Sequence, residues 1–368
     1  MRGHDTGPLR RGWTTGACAA AGARAAFAAL LTGRFPDPVL LRLPGGRTTS
    51  FPLALAELGE ARARAGIVKD AGDDPDVTHG ALVIAEVAPA PAGSGIAFAA
   101  GEGVGTVTRP GLPLAVGEPA INPAPRQMIR AALREAAEVD GAPDPDVMVT
   151  ISIPGGERLA AKTMNARLGI IGGLSVLGTT GIVIPYSCSS WIHAIHRGID
   201  VARAAGLDHI AAATGATSEQ AVRRLHDLPD HALIDMGDFA GGMLKYLRTH
   251  PVARLTIAGG FAKLAKLAAG HLDLHSGRSR VDTAMLGDLL AALGADDATL
   301  LRARKAGGAG EVLAAAGTWQ QPLARLVAER AREVALATLS GKTEVEVAVV
   351  DRDGGFLARV GGWRQNGC

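Results

Sequence analysis

The amino-acid sequence predicts an α+β protein of two parts, and three observations carry that prediction. Up to about Pro185 the chain mixes short strand-like runs with few helices. Beyond it a strand, a turn of small residues and a helix recur, which is the pattern of a parallel α/β sheet. Apolar residues make up 47% of the 368 and charged residues 20%, so both parts can bury a core and disorder is not expected. Residues 1–185 are therefore expected to form an α+β domain. Residues 186–368 are expected to form an α/β domain closed by helices and a hairpin.

The first element is an alanine-rich helix from Ala17 to about Leu31, stopped near Gly33. Arg24 is its one charged side chain, so most of its surface must be buried. Thr14 or Thr15 can cap it, because a threonine hydroxyl accepts from the first free helix N–H groups. Val39–Leu43 and Thr48–Leu53 read as a hairpin turned at Gly45-Gly46. Ala61–Val68, Ala81–Val87 and Ile96–Ala100 read as further strands. Asn122-Pro123 opens a helix with Met128, Ile129, Ala132 and Leu133 on one face. Val147–Ile153 is a strand running into Pro154-Gly155-Gly156. The second part opens with a helix, Ser189–Ala205. Strand His209–Ala213 then ends in Thr214-Gly215-Ala216-Thr217, with a helix from Ser218. Leu233-Ile234-Asp235 leads to a helix reaching about Leu247, and Leu255-Thr256-Ile257 ends in Ala258-Gly259-Gly260 before another. Val281–Leu339 is mostly helical, and Val345–Asp351 with Phe356–Val360 forms a terminal hairpin.

Composition narrows the function. A formal charge of +2 and only 4% aromatics argue against a nucleic-acid surface. Cys18, Cys188 and Cys368 are far apart and form neither a zinc knuckle nor a disulfide framework. The start, Met1 to Asp5, lacks the apolar core of a signal peptide. Leu168–Ile192 carries no formal charge, but its glycines and Pro185 fit buried turns better than a membrane span. A soluble, cytoplasmic protein without membrane or nucleic-acid partners is expected.

Seven stretches invite a chemical reading. Arg10-Arg11 before Thr14-Thr15-Gly16 puts two cations beside a helix N-terminus, a receiver for carboxylate or phosphate or else an ordinary capped core helix. Asp70, Asp73, Asp74 and Asp76 form the densest acidic loop, which suits a divalent metal, a cationic cofactor or ribose hydroxyls, or a solvated turn pinned by Pro75. Gly101, Gly103 and Gly105 resemble a dinucleotide loop, but β-type sequence follows where a helix should open. Thr179-Thr180-Gly181 and Thr214-Gly215 sit at strand-to-helix positions, where open α/β sheets bind ligands. The second has the better context. His193 with His196, and His271 with His275 around Asp273, could bind a metal or an anion, or pack and cap. No third ligand is evident, and no hydrolase motif appears.

Taken in order, these stretches resemble the cobalt-precorrin-5B C(1)-methyltransferase (CbiD) family of cobalamin biosynthesis. The matching segments are RRGWTTGACAAA at 10–21, VKDAGDDPDVTHG at 68–80, GEGVGTVTRPGLPLAVGEPAINPAPRQMI at 101–129 and GTTGIVIPYS at 178–187. ATGATSE at 213–219, GGFAKLAKLAAGHLDLHS at 259–276 and VEVAVVDRDGGFLARV at 345–360 complete the set. Each motif is weak alone; their order over nearly the whole chain is specific. The resemblance implies an N-terminal part of the ribosomal S5 domain 2-like type joined to a Rossmann-like part. It implies S-adenosyl-L-methionine as methyl donor, with C-1 of cobalt-precorrin-5B as acceptor and cobalt-precorrin-6A as product. The cobalt belongs to the substrate, so no protein-bound metal is expected, and neighbouring cobalamin-pathway enzymes are the expected protein partners. Tyr186-Ser187-Cys188-Ser189-Ser190-Trp191 departs from the more acidic stretch common there, so no acidic role carries over to it.

In-line transfer from a sulfonium to an electron-rich ring carbon needs little covalent help, so no catalytic residue is named. Alignment and desolvation can supply up to roughly 7–11 kcal/mol. The expected partners of substrate carboxylates are Arg10, Arg11, Lys69, Arg109 and Arg167, with the Thr14-Thr15-Gly16 turn. The expected cofactor contacts are Asp73, Asp74 or Asp76 to ribose (or in a structural role), Gly103, Gly105, Thr179, Thr180 and Gly181, with Thr214 and Gly215 as the competing site. On that reading Asp74→Ala weakens cofactor binding, and replacing Arg11 raises the substrate KM. A non-catalytic tetrapyrrole carrier and a small-molecule kinase-like enzyme are the alternative classes.

Overall fold

The computed structural model describes residues 8–137, 144–339, 341 and 343–363. Met1 to Asp5 and Cys368 lie outside the described residues. The chain divides into two compact units, at Cys188/Ser189.

In the first unit, a two-residue strand β1 (Gly12–Trp13) leads to helix α1 (Thr15–Thr32), followed by the hairpin β2 (Val39–Arg42) and β3 (Thr48–Phe51). Next come β4 (Leu55–Leu58), β5 (Ala63–Val68), β6 (Leu82–Pro89), β7 (Ile96–Ala100) and the short β8 (Thr106–Val107). Helix α2 (Pro123–Ala136), β9 (Val147–Ser152), helix α3 (Gly156–Ala160), β10 (Ile170–Ile171) and β11 (Ile182–Val183) complete it. Five strands form one sheet in the order β4-β5-β6-β9-β7, antiparallel except for β7 beside β9. α1 lies across this sheet with α2 at its flank. Its alanines from Ala17 to Ala29 are buried except Ala28, because small side chains let the helix backbone sit close to the strands. Gly33 ends it in the left-handed conformation, its N–H donating to Ala29 O. α1 is long and apolar enough to cross a membrane, yet it is mostly buried as this unit's core.

Two elements and two strand pairings were not expected. Edge strand β4 has no fully buried residue, so it shows none of the alternation that marks a half-buried strand. The single turn α3 is too short to show periodicity. The pairings β1–β11 and β8–β10 are two residues long and join segments far apart in the chain.

The second unit alternates as expected. Helix α4 (Cys188–Ala204) precedes β12 (His209–Ala213), α5 (Ala216–His226), β13 (Leu233–Asp235), α6 (Ala240–Thr249), β14 (Arg254–Gly260) and α7 (Phe261–Ala268). Helices α8 (Thr283–Ala292), α9 (Asp297–Arg304), α10 (Ala309–Ala315) and α11 (Gln320–Leu339) lead to β15 (Glu344–Val350) and β16 (Phe356–Gly361). The sheet order is β13-β12-β14-β15-β16; the first four strands are parallel and β16 is antiparallel. Alternate residues serve opposite faces. Ala211, Leu233, Ala258 and Ala348 meet Val222 of α5, whereas Ile210, Ile257, Val347 and their neighbours join the larger core with α6, α7 and α11.

Candidate active site

The N-terminal segment of the first unit is tied down by the acidic loop. Arg10 N donates to Asp73 Oδ2 at 2.6 Å, Asp73 N donates to Arg10 O at 3.0 Å, and Trp13 N donates to Asp70 O at 2.7 Å. The Arg10 guanidinium forks onto both oxygens of Asp70. That contact and the Gly72 N–H hold the Asp70 carboxyl down at about 2. The strands of chain cross so closely that a Cβ on Gly72, whose φ is +68°, would overlap the Arg10 carbonyl oxygen. Lys69, 1% exposed, donates to Asp76 Oδ2 at 2.6 Å. Burial pushes the Asp76 carboxyl up, but Lys69 and two hydrogen bonds from Thr78 bring it below its ordinary value. Asp74 Oδ1 accepts from Tyr186 N at 2.8 Å. Each of these acids thus has an internal partner, and so do Arg10 and Lys69. Arg10, Lys69, Asp73, Asp74 and Asp76, all expected at the site, are engaged with one another and with the crossing segments.

The N-terminus of α1 is also occupied. Thr14 Oγ1 accepts from Ala17 N at 3.2 Å, the expected cap. Gly16 N donates to Leu177 O at 2.9 Å, and the Thr15 hydroxyl both donates to Leu177 O and accepts from Leu177 N. A backbone carbonyl therefore stands where a substrate carboxylate was expected to meet the Thr14-Thr15-Gly16 turn. Gly181 O accepts from Thr14 N at 3.0 Å, and Thr180 Oγ1 closes a local turn with Ile182. Thr179 is exposed beside them.

Gly103 and Gly105 pack against backbone rather than facing open space. A Cβ on Gly103 would overlap Ile153 O, and one on Gly105 would come within 2.9 Å of Gly173 O. Gly105 N donates to Leu174 O and its carbonyl accepts from Ala120 N, while Val176 N donates to Ala120 O. This ladder continues through Leu177 to α1. The segments 10–16, 68–80, 101–105, 119–122 and 173–186, scattered along the sequence, thus meet in one place. Two cations remain available here: Arg11 is exposed, and Arg109 lies half-buried along Gly169, neither with an ion-pair partner among the described residues. Arg167 is half-buried near the same turn and is engaged within the protein. Cys18, buried in α1, has its thiol pushed up to about 12 and cannot serve as a nucleophile.

In the second unit, the chain steps from β12 to β13 on one side and then to β14 on the other. This is a topological switch point, where open α/β sheets bind ligands. Thr214 and Gly215 lie at the carboxyl end of β12, Gly259 and Gly260 at that of β14, with Thr214 N donating to Ala258 O at 3.0 Å. Gly215 and Gly260 are the N-caps of α5 and α7; neither has a side-chain cap, and a Cβ on either would meet nothing within 4 Å. Gly259, Gly260 and the Asp238–Lys263 ion pair beside them were not among the site residues expected from the sequence, although Gly259-Gly260 had the same strand-to-helix signal as Thr214-Gly215. His271 to Ser276 builds a turn: His275 N and Arg278 both donate to Asp273, and Gly277 N donates to His275 Nδ1. His196 stacks on Tyr246 at 3.9 Å, and His193 is exposed beside it.

Sequence reasoning also missed a buried polar cluster in this sheet. Glu346, 1% exposed, accepts from His226 Nε2 at 2.6 Å, Thr256 Oγ1 at 2.9 Å and Arg359 Nη2 at 2.7 Å. With the threonine proton directed at Glu346, His209 Nε2 is the donor across its 2.9 Å contact to Thr256. Burial raises the Glu346 carboxyl, but these partners outweigh it and hold it near 2; burial, with His226 and Arg254, lowers His209 to about 4. A groove of about 450 Å³ opens beside His226, Glu346, Arg359 and Trp363.

Comparison with known proteins places these features in a family. The family described as CbiD matches residues 2–185, and the one described as CbiD, C-terminal domain, matches residues 273–361. A cobalt-precorrin-5B C(1)-methyltransferase of Paramagnetospirillum magneticum is 59% identical over 351 residues, 95% of this chain and 98% of the relative. Like-named proteins of Brucella anthropi (57% over 360 residues, 98% of each chain) and a Bradyrhizobium species (60% over 353 residues, 96% and 94%) are similarly close. A crystal structure of a cobalamin biosynthesis protein (cbiD) from Archaeoglobus fulgidus is 30% identical, covering 73% of this chain and 83% of that one with a TM-score of 0.38. The chain belongs to the CbiD family.

Proposed function

We propose that this chain transfers a methyl group from S-adenosyl-L-methionine to C-1 of cobalt-precorrin-5B, giving cobalt-precorrin-6A. The observation that carries this reading is the identity of nearly 60% to enzymes named for the reaction, over 95% or more of the chain. On this reading residues 1–185 form the S5 domain 2-like part and 186–368 the Rossmann-like part. The four parallel strands and their switch point support the second assignment.

The residues fit a division of tasks. Gly215 and Gly260 leave backbone open at the carboxyl edge of the parallel sheet, which suits the ribose and amino-acid portions of the methyl donor. Thr214 supplies a hydroxyl there. The donor itself supplies an electrophilic methyl group. Arg11 and Arg109 are the cations left for the acetate and propionate groups of the tetrapyrrole. A carboxylate close to the sulfonium would favour the ground state over the transition state, because that charge disappears as the methyl leaves.

Calorimetry with S-adenosylhomocysteine tests the cofactor assignment. Wild type and Asp76→Asn are expected to bind alike, and Gly215→Val to bind at least tenfold more weakly. Equal binding by Gly215→Val would move the cofactor away from this edge. Binding of ATP without binding of S-adenosylhomocysteine would favour a kinase-like enzyme instead.

A further inference from the structure

We infer that Tyr186 is a substrate-contacting residue, held in place by Asp74, whose ring forms an apolar ledge for one face of the tetrapyrrole. The inference rests on the methyltransferase reading and adds a specific residue to it. Tyr186 has a φ of +56°, in the left-handed region that bulky side chains rarely enter. Such a conformation costs about 1–3 kcal/mol and persists only where the surroundings impose it. Here Asp74 imposes it, its Oδ1 accepting from Tyr186 N at 2.8 Å. The strain stabilises no core contact, since Tyr186 is 68% exposed. What the strain does is present a ring to solvent.

The position of that ring is not arbitrary. β1 and β11 are antiparallel, with Gly12 opposite Val183 and Trp13 opposite Ile182. Continuing the register brings Arg11 level with Ile184 and Arg10 level with Pro185, and Asp73 and Asp74 link the same two segments through Arg10 N and Tyr186 N. Ile184 is 55% exposed. An aromatic ring, the aliphatic side chain of Ile184 and an exposed arginine thus lie at neighbouring positions of these paired segments. A flat ring system bearing peripheral carboxylates asks for this combination: an apolar face to lie on and a cation at the edge.

Absorbance titration with cobalt-precorrin-5B, together with steady-state kinetics at saturating methyl donor, tests the inference. Tyr186→Ala is expected to weaken tetrapyrrole binding about tenfold, as loss of a stacked ring does, with the KM for the methyl donor unchanged. Tyr186→Phe is expected to retain wild-type affinity. Tyr186→Gly should lose affinity as Tyr186→Ala does while melting no lower than wild type, because glycine accepts the positive φ. Asp74→Ala should raise the tetrapyrrole KM, and Asp74→Asn, which keeps the Oδ1 acceptor, should restore it. Wild-type affinity in Tyr186→Ala overturns the ledge alone. Failure of the wild-type chain to bind the tetrapyrrole removes the methyltransferase reading and the ledge with it.

Discussion

The two units place their charges in opposite ways. In the first, two ion pairs hold the crossing loops: Arg10 with Asp70 is largely exposed, and Lys69 with Asp76 reaches the interior. In the second, Glu346 sits within the sheet and is held from three sides by His226, Thr256 and Arg359. Thr256 and Glu346 lie in the first halves of β14 and β15, and His209 begins β12, away from the carboxyl edge where Gly215 and Gly260 lie open. The polar cluster therefore locks the sheet at one end and leaves the other end unencumbered. In the first unit, by contrast, the charge clasp and the candidate substrate surface are the same loops. Changes to that clasp should reach function before they reach stability, and changes to the second unit's cluster should do the reverse.

The sharpest way to break the comparison is Glu346→Ala. It strands His226 and Arg359 beside an empty position and is expected to cost about 3–5 kcal/mol of stability in denaturant unfolding. A cost as small as that of a surface pair would mean that the cluster is not structural. Gly72→Ala tests the first unit where backbone rather than charge is tight. The new Cβ would overlap the Arg10 carbonyl, so a loss of about 2–4 kcal/mol is expected, again by denaturant unfolding.

Acidification separates the units without mutation. His209 is neutral in the folded state, with its pKa lowered from 6.5 to about 4, so its contribution is complete above pH 6.5 and is lost as the pH falls through 4. Glu346, lowered from 4.5 to about 2, adds a second loss below pH 4.5. The melting temperature should fall between pH 6.5 and 4, and His209→Gln should flatten that decline; an unchanged slope would contradict the assignment. The smallest effect is expected from Asp70→Asn. An exposed pair is worth about 0.2–1 kcal/mol, and this one should matter less as salt rises.

Much of this molecule was legible in its residues. Alternation marked the central strands, and the alanine run with Thr14 and Gly33 marked α1 and both its ends. The family motifs identified the chemistry. What the sequence could not reveal was which polar groups would find partners inside the protein. Thr14-Thr15-Gly16 looked like an anion receiver because Leu177, 161 residues beyond Gly16, cannot be seen from it. The aspartates looked like ligands for a cofactor because two of their partners, Arg10 and the Tyr186 backbone, come from distant stretches, although Lys69 and Thr78 flank the loop. Asp74 shows the consequence: the sequence ties it to the methyl donor, and the geometry ties it to Tyr186. Edge strand β4 stayed hidden for a different reason, since a strand with no buried face carries no periodic signal.

The most direct test is to incubate the chain with cobalt-precorrin-5B and S-adenosylmethionine carrying a ¹³C-labelled methyl group, and to locate the label by NMR. A single labelled methyl at ring carbon C-1 is the expected result. An unlabelled tetrapyrrole, or label on any other carbon, would contradict it.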